Sequence, residues 1–178
     1  SGLVVTNWHI VKNSETVGIV LKNTSGELVK ARIYIAEVIR RNKQADLALL
    51  RIRNPPHDLT PVPLGDMIEV EIGMDVHAIG HPVDEIWSYT SGTVSQIRTN
   101  YRWEYASEIH QATVIQTQTP FNPGNSGGPL YNEKGELIGL NTYGTEGEGL
   151  NFAIRIDEVN DFMSRAKKGN YPAGVDPE

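Results

Sequence analysis

Apolar positions along this chain come in short runs, rich in Val and Ile and interrupted by Gly, Pro, Asn and Asp. They cover 16–21, 29–35, 47–52, 76–79, 92–97, 113–117, 137–141 and 150–154, after an opening run Leu3-Val4-Val5-Thr6. Runs of this length between turn residues read as strands of antiparallel barrels or sandwiches. Asn132-Glu133-Lys134-Gly135 separates two of them as a hairpin turn. One stretch departs from the pattern. Val159, Phe162, Met163 and Ala166 recur at helical spacing, with Asp157 and Glu158 before them and Lys167-Lys168-Gly169 behind. Charges of those signs suit the helix dipole and the glycine suits a stop, so a helix is expected over about 156–168, then a loose tail over 169–178.

Length and composition bound the rest. With 178 residues, the chain suits one compact domain or two small barrels, and a chain of this size buries roughly 70% of its unfolded surface without staples. The proline-containing stretch 55–63 is the expected link between a first unit, about 1–60, and a second, about 70–155. There is no cysteine, which sets the chain apart from disulfide-rich secreted enzymes but fixes no compartment. Net charge is −6. The densest basic stretch, Arg40-Arg41-Asn42-Lys43, reads as a solvated loop, so nucleic acid is not an expected partner. No apolar run approaches the ~18 residues of a membrane span. The opening Ser1-Gly2-Leu3-Val4-Val5 already lies inside a strand-like run and reads as an internal cut rather than a native start.

The chemistry concentrates in Gly124-Asn125-Ser126-Gly127-Gly128-Pro129. Three glycines around a serine suit no regular element. They suit either a plain turn or a loop that aims neighbouring N–H groups at a developing oxyanion. The pattern also satisfies Gly-x-Ser-x-Gly, the nucleophile elbow of α/β hydrolases, but there the histidine follows the serine. Here the last histidine is His110, so that reading fails. An Asp-His-Ser order could be written with Asp46 and a later histidine, yet the alternating strand–helix pattern it needs is absent. His-Asp-Ser remains. A serine hydroxyl needs an imidazole to take its proton, and the imidazole needs a carboxylate to fix its tautomer. His9 in Thr6-Asn7-Trp8-His9 and Asp46 at the mouth of Ala45-Asp46-Leu47-Ala48-Leu49-Leu50 supply them. A buried carboxylate there must be paired. His77 and His81 have a metal-like spacing but sit at a turn with no cysteine nearby, and no metal or other cofactor is expected.

Together, Thr6-Asn7-Trp8-His9-Ile10-Val11, the Asp46 block and Asn122-Pro123-Gly124-Asn125-Ser126-Gly127-Gly128-Pro129-Leu130 resemble trypsin-like serine proteases of the HtrA/Deg type. Ala78-Ile79-Gly80-His81-Pro82, Thr90-Ser91-Gly92-Thr93-Val94-Ser95, Gly135-Glu136-Leu137-Ile138-Gly139-Leu140-Asn141-Thr142 and Asn151-Phe152-Ala153-Ile154 agree with it, and the resemblance spans about 1–168. It implies an all-β fold of two six-stranded antiparallel β-barrels, the first lacking its N-terminal strands, with a C-terminal α-helix. It implies a serine endopeptidase with His9 as base, Asp46 as its orienter and Ser126 as nucleophile. The oxyanion hole falls at Gly124, Asn125 and Ser126. Thr142, Tyr143 and Gly144 match the edge strand that pairs with substrate, and Phe152 either faces the pocket or packs the core. The pocket position that is acidic in trypsin is Pro120 here, followed by Phe121, and no carboxylate occurs between Gln111 and Ser126. A preference for small or medium apolar side chains is therefore expected.

The resemblance further implies polypeptide substrates, unfolded proteins among them, and a role in quality control or regulated proteolysis. It points to an extracytoplasmic setting, in a bacterial periplasm or envelope. Relatives often trimerise through N-terminal residues, and many carry a C-terminal PDZ domain. Trp8 stands where the family commonly has Asn. The stretch 99–108, with Arg98 beside it, Arg102 and three aromatics, is expected to be a loop of the kind that switches activity in relatives. A non-catalytic peptide-binding or chaperone-like domain on the same scaffold is the competing reading.

Overall fold

The computed structural model describes residues 2–21, 32–81, 87–144 and 150–167. The first four strands are β1 (Leu3–Thr6), β2 (Thr16–Val20), β3 (Ile33–Asn42) and β4 (Leu47–Ile52), with one helical turn, α1 (Trp8–Val11), after β1. They form an antiparallel sheet in the order β1-β4-β3-β2. Six further strands are β5 (Asp75–Gly80), β6 (Ser88–Tyr105), β7 (Glu108–Thr117), β8 (Pro129–Asn132), β9 (Leu137–Gly144) and β10 (Asn151–Arg155). These close into a barrel, β10-β7-β6-β5-β8-β9. Helix α2 (Ile156–Lys167) continues directly from β10. The predicted all-β trypsin-like architecture is therefore present, with the first unit a four-stranded sheet among the described residues.

The hydrophobic pattern explains where each strand sits. Strands with one buried face alternate apolar and polar residues. β4 does not; Leu47, Ala48, Leu49 and Leu50 are all buried. Its two faces serve two cores. Ala48, Leu50 and Ile52 join Val11, Ala36 and Val38 inside the first sheet, whereas Leu47 and Leu49 face the barrel and pack with Trp103, Val114, Leu140, Phe152 and Ile154. β7 is shared in the same way: Val114 faces the inter-unit core while Ile115 fills the barrel with Val76, Val94, Leu130 and Ile138. Helix α2 seals the seam with Ile156, Val159 and Phe162. Glu158 accepts from the Thr113 amide (2.9 Å), and Arg40 donates to the Phe162 carbonyl (2.7 Å).

The stretch 99–108 is not a loop. β6 and β7 run to a tight tip, pairing Arg102 with Gln111 and Tyr105 with Glu108. Only Ala106 and Ser107 remain between them, with φ of 50° and 64°. Two consecutive left-handed residues make the turn whose twist matches a long hairpin. The alternation Tyr101, Trp103, Tyr105 is the period-two signal of a strand, masked by the polar residues between them.

Candidate active site

Antiparallel pairing brings the first two site residues together. Thr6 at the end of β1 is opposite Ala48 near the start of β4. A residue just past β1 and one just before β4 therefore meet, and these are His9 and Asp46. The Trp8 amide donates to the Asp46 carbonyl (3.1 Å), as does Asn7 Nδ2 (3.2 Å). Asp46 itself takes φ 55°, a conformation that Asp tolerates better than most residues.

Its carboxylate is fully buried and fully paired. Oδ1 accepts the His9 amide (2.9 Å), and His9 Nδ1 lies 3.1 Å from Oδ1 and 2.9 Å from Oδ2. Thr142 Oγ1 donates to Oδ2 (2.7 Å). A carboxylate only accepts, so the His9 proton sits on Nδ1, and in the neutral ring Nε2 carries the lone pair. The two side chains are 10% and 1% exposed, so this charge-assisted contact is little screened.

Ser126 arrives from the barrel, on the loop between β7 and β8. Gly124 has φ 107° and Gly127 φ 77°, both in the region that favours glycine. A Cβ on Gly127 would stand 2.4 Å from Thr6 Oγ1 and 3.0 Å from Ile10 Cδ1. The missing side chain thus lets the loop lie against the end of β1 and α1, beside His9. Hydrogen bonds pin the loop: Asn125 N donates to Asn122 O (3.0 Å), Gly127 N to Asn141 O (2.8 Å) and His81 N to Gly124 O (3.1 Å). Among the described residues the amides of Gly124 and Ser126 have no acceptor. Ser126 Oγ donates to the Thr142 carbonyl (2.8 Å), and among the described residues no hydrogen bond joins it to His9.

Thr142, predicted only as a substrate-strand residue, thus touches both Asp46 and Ser126. Nothing local in the sequence signalled that double contact, nor the Asn7 bond to the Asp46 backbone. Tyr143 pairs with Phe152, and Gly144 with Asn151. On the other side β8 pairs only as far as Leu140, so 142–144 has no second strand among the described residues. Phe152 is 3% exposed and stacks between Tyr101 (4.9 Å) and Tyr143 (5.3 Å). It is a packed core side chain. Burial, and then Tyr101 beside it, pushes the Tyr143 phenol up to about 12. Pro120 is exposed and its carbonyl accepts from Asn125 Nδ2 (3.3 Å), while Phe121 packs against the barrel core. His77 accepts the Tyr89 hydroxyl (2.7 Å) or donates to it, and His81 lies edge-on to Trp87.

Comparison with known proteins accords with this geometry. A family described as "Trypsin-like peptidase domain" matches residues 1–140. The chloroplastic Protease Do-like 1 of Arabidopsis thaliana is 33% identical over 168 residues, 92% of this chain and 36% of that protein. A probable periplasmic serine endoprotease, DegP-like, of Hahella chejuensis is 34% identical over 170 residues, covering 93% of this chain and 33% of that protein. The chain spans less than half the length of either. Among solved structures, a variant of the HtrA-type protease AlgW with a decapeptide superposes with a TM-score of 0.81 at 27% identity, over 96% of this chain and 49% of that one. The chain belongs to the trypsin-like peptidase family, and its similarity to HtrA-type proteases extends over nearly all of its length.

Proposed function

We propose that this domain is an endopeptidase working through an acyl-enzyme on Ser126. The carrying observation is the buried Asp46 carboxylate that fixes the proton on His9 Nδ1. In this reading Ser126 Oγ turns from the Thr142 carbonyl toward His9. It attacks the scissile carbonyl carbon as its proton passes to His9 Nε2. The tetrahedral oxyanion is held by the amides of Gly124 and Ser126, with Asn125 fixing the loop between them. His9 then gives the proton to the leaving amine, and water repeats the sequence to release the acid and restore Ser126. The open side of Thr142, Tyr143 and Gly144 takes the substrate backbone as an added strand.

Pro120 and Phe121, with no carboxylate between Gln111 and Ser126, favour small or medium apolar side chains before the cleaved bond. The substrates are polypeptides, unfolded proteins among them, handled outside the cytoplasm in a periplasm or envelope. The periplasmic name of the Hahella relative supports that setting, and fractionation of the source cells tests it. A fluorophosphonate probe tests the chemistry. Wild type labels, Ser126→Ala does not, and a peptide library is cut after Val, Ala or Leu. An unlabelled wild-type protein favours the non-catalytic peptide-binding reading. Cleavage after Arg or Lys sinks the pocket assignment alone.

A further inference from the structure

The buried pair leaves one question about His9. Hydrogen bonds to Asp46 hold one edge of the imidazole, at Nδ1. A tilt about that edge carries Nε2, at the far side of the ring, away from any fixed position. Something must press on the ring if Nε2 is to stay aimed.

Tyr105 does so. It is the last residue of β6, delivered to the hairpin tip by the two-residue turn Ala106–Ser107. On the inner face of this strand Tyr101 stacks on Phe152, and Trp103, 4% exposed, packs into the inter-unit core. Tyr105 is the third aromatic of that alternation. Its ring lies 4.7 Å from the His9 ring, centroid to centroid, with the planes at 53°. The hairpin is tied at the same level to the segment leading into Asp46. Gln111 N donates to Gln44 O (2.6 Å), His110 Nδ1 to Lys43 O (2.7 Å), and Lys43 pairs with Glu108 (2.5 Å). The Lys43 hydrogen bond holds the Glu108 carboxyl below its usual range. Tyr105 and Asp46 are therefore anchored to each other through Lys43 and Gln44, and they grip the imidazole from two directions.

We infer that Tyr105 is a positioning residue for the serine-protease reaction, packing its ring on His9 so that Nε2 faces the Ser126 loop. The inference rests on the proposed function and names a residue from the barrel hairpin as part of the base's support. The hydroxyl plays no part; the aromatic face does.

Labelling by a small fluorophosphonate reports on Ser126 and His9 without using the peptide-binding strand. Tyr105→Ala is expected to label about tenfold more slowly than wild type, since a misaimed base loses rate well before it loses binding. Peptide kcat falls by the same factor while KM moves less than about twofold. Tyr105→Phe restores both to within about twofold of wild type, consistent with a role for the ring alone. Melting curves check folding, and Tyr105→Thr, suited to a strand end, carries the same expectation if the alanine variant does not fold. Labelling of Tyr105→Ala as fast as wild type or faster overturns the inference, because the ring would then be inert or obstructive. A loss confined to KM, or failure of Phe to rescue, overturns it as well. An unlabelled wild type strikes the serine-protease reading instead.

Discussion

The two sides of the site are built differently. His9 and Asp46 both flank strands of the first sheet and are joined by its register, with the carboxylate receiving three donors and having almost no solvent exposure. Ser126 comes from a glycine loop of the barrel, and its hydroxyl rests on the Thr142 carbonyl rather than on His9. Folding alone therefore builds the His9–Asp46 pair. In the proposed mechanism Ser126 still needs a side-chain rotation, within a loop whose backbone is already pinned. Thr142 sits between the two sides, its hydroxyl on Asp46 and its carbonyl on Ser126. The contrast says that damage to the first side should cost chemistry outright, and damage to the second should cost alignment.

The largest effect is expected at Asp46. Asp46→Asn keeps a residue that tolerates φ 55° while replacing the acceptor that fixes the His9 tautomer, so the fold should survive and kcat should fall by roughly 10⁴-fold. Peptide turnover, with circular dichroism as the fold control, measures this. A loss below about tenfold would mean that the first side is not where the chemistry is set.

On the nucleophile side, Gly127→Ala places a Cβ 2.4 Å from Thr6 Oγ1 at a backbone φ of 77°. Strain of about 1–3 kcal/mol should push the loop off β1, and a displacement near 1 Å costs about 10²-fold in kcat. Adding Thr6→Ala removes the contact but not the backbone strain, so the double variant should recover part of the lost rate. No recovery would place the cost in the dihedral and in the remaining contact with Ile10 Cδ1 at 3.0 Å. Between the two sides, Thr142→Val keeps shape and carbonyl but deletes the donor to Asp46. A hydrogen bond to a charged group is worth about 1.5–3 kcal/mol, so kcat should fall about tenfold or somewhat more, with a lower melting midpoint.

How much of this was legible in the sequence follows the same division. Ala45-Asp46-Leu47-Ala48-Leu49-Leu50 announced a polar residue at the mouth of an apolar strand, and the glycine spacing around Ser126 announced a special loop. Both signals are local, because they arise from what one residue demands of its own backbone or burial. The contacts that join distant segments were not legible. Thr142 reaching Asp46 depends on the meeting of sheet and barrel, which no local pattern encodes. The Phe152 assignment stayed open for the same reason: a strand residue's face is readable, but whether that face lines a groove or a core depends on what covers it. The β6–β7 hairpin was hidden because polar residues between the aromatics, and a turn without glycine, looked like loop composition.

That turn supplies the smallest and most selective prediction. Ala106 and Ser107 hold φ of 50° and 64°, and left-handed backbone costs an ordinary residue about 1–2 kcal/mol. Asn-Gly is the pair that such a two-residue turn favours. Replacing Ala106-Ser107 with it touches neither Tyr105 nor Glu108, and neither side of the site. Stability should rise by about 1 kcal/mol, and for a chain of this size that raises the melting midpoint by about 2–4 °C. Labelling rate and kcat should stay at wild-type values, because the hairpin keeps its register and its tether to Lys43. If the midpoint rises while the rate falls, the strained turn is itself shaping how Tyr105 meets His9. The rigid first side would then depend on a strained element of the second unit, and the division between a prebuilt pair and an adjustable nucleophile would have to be redrawn.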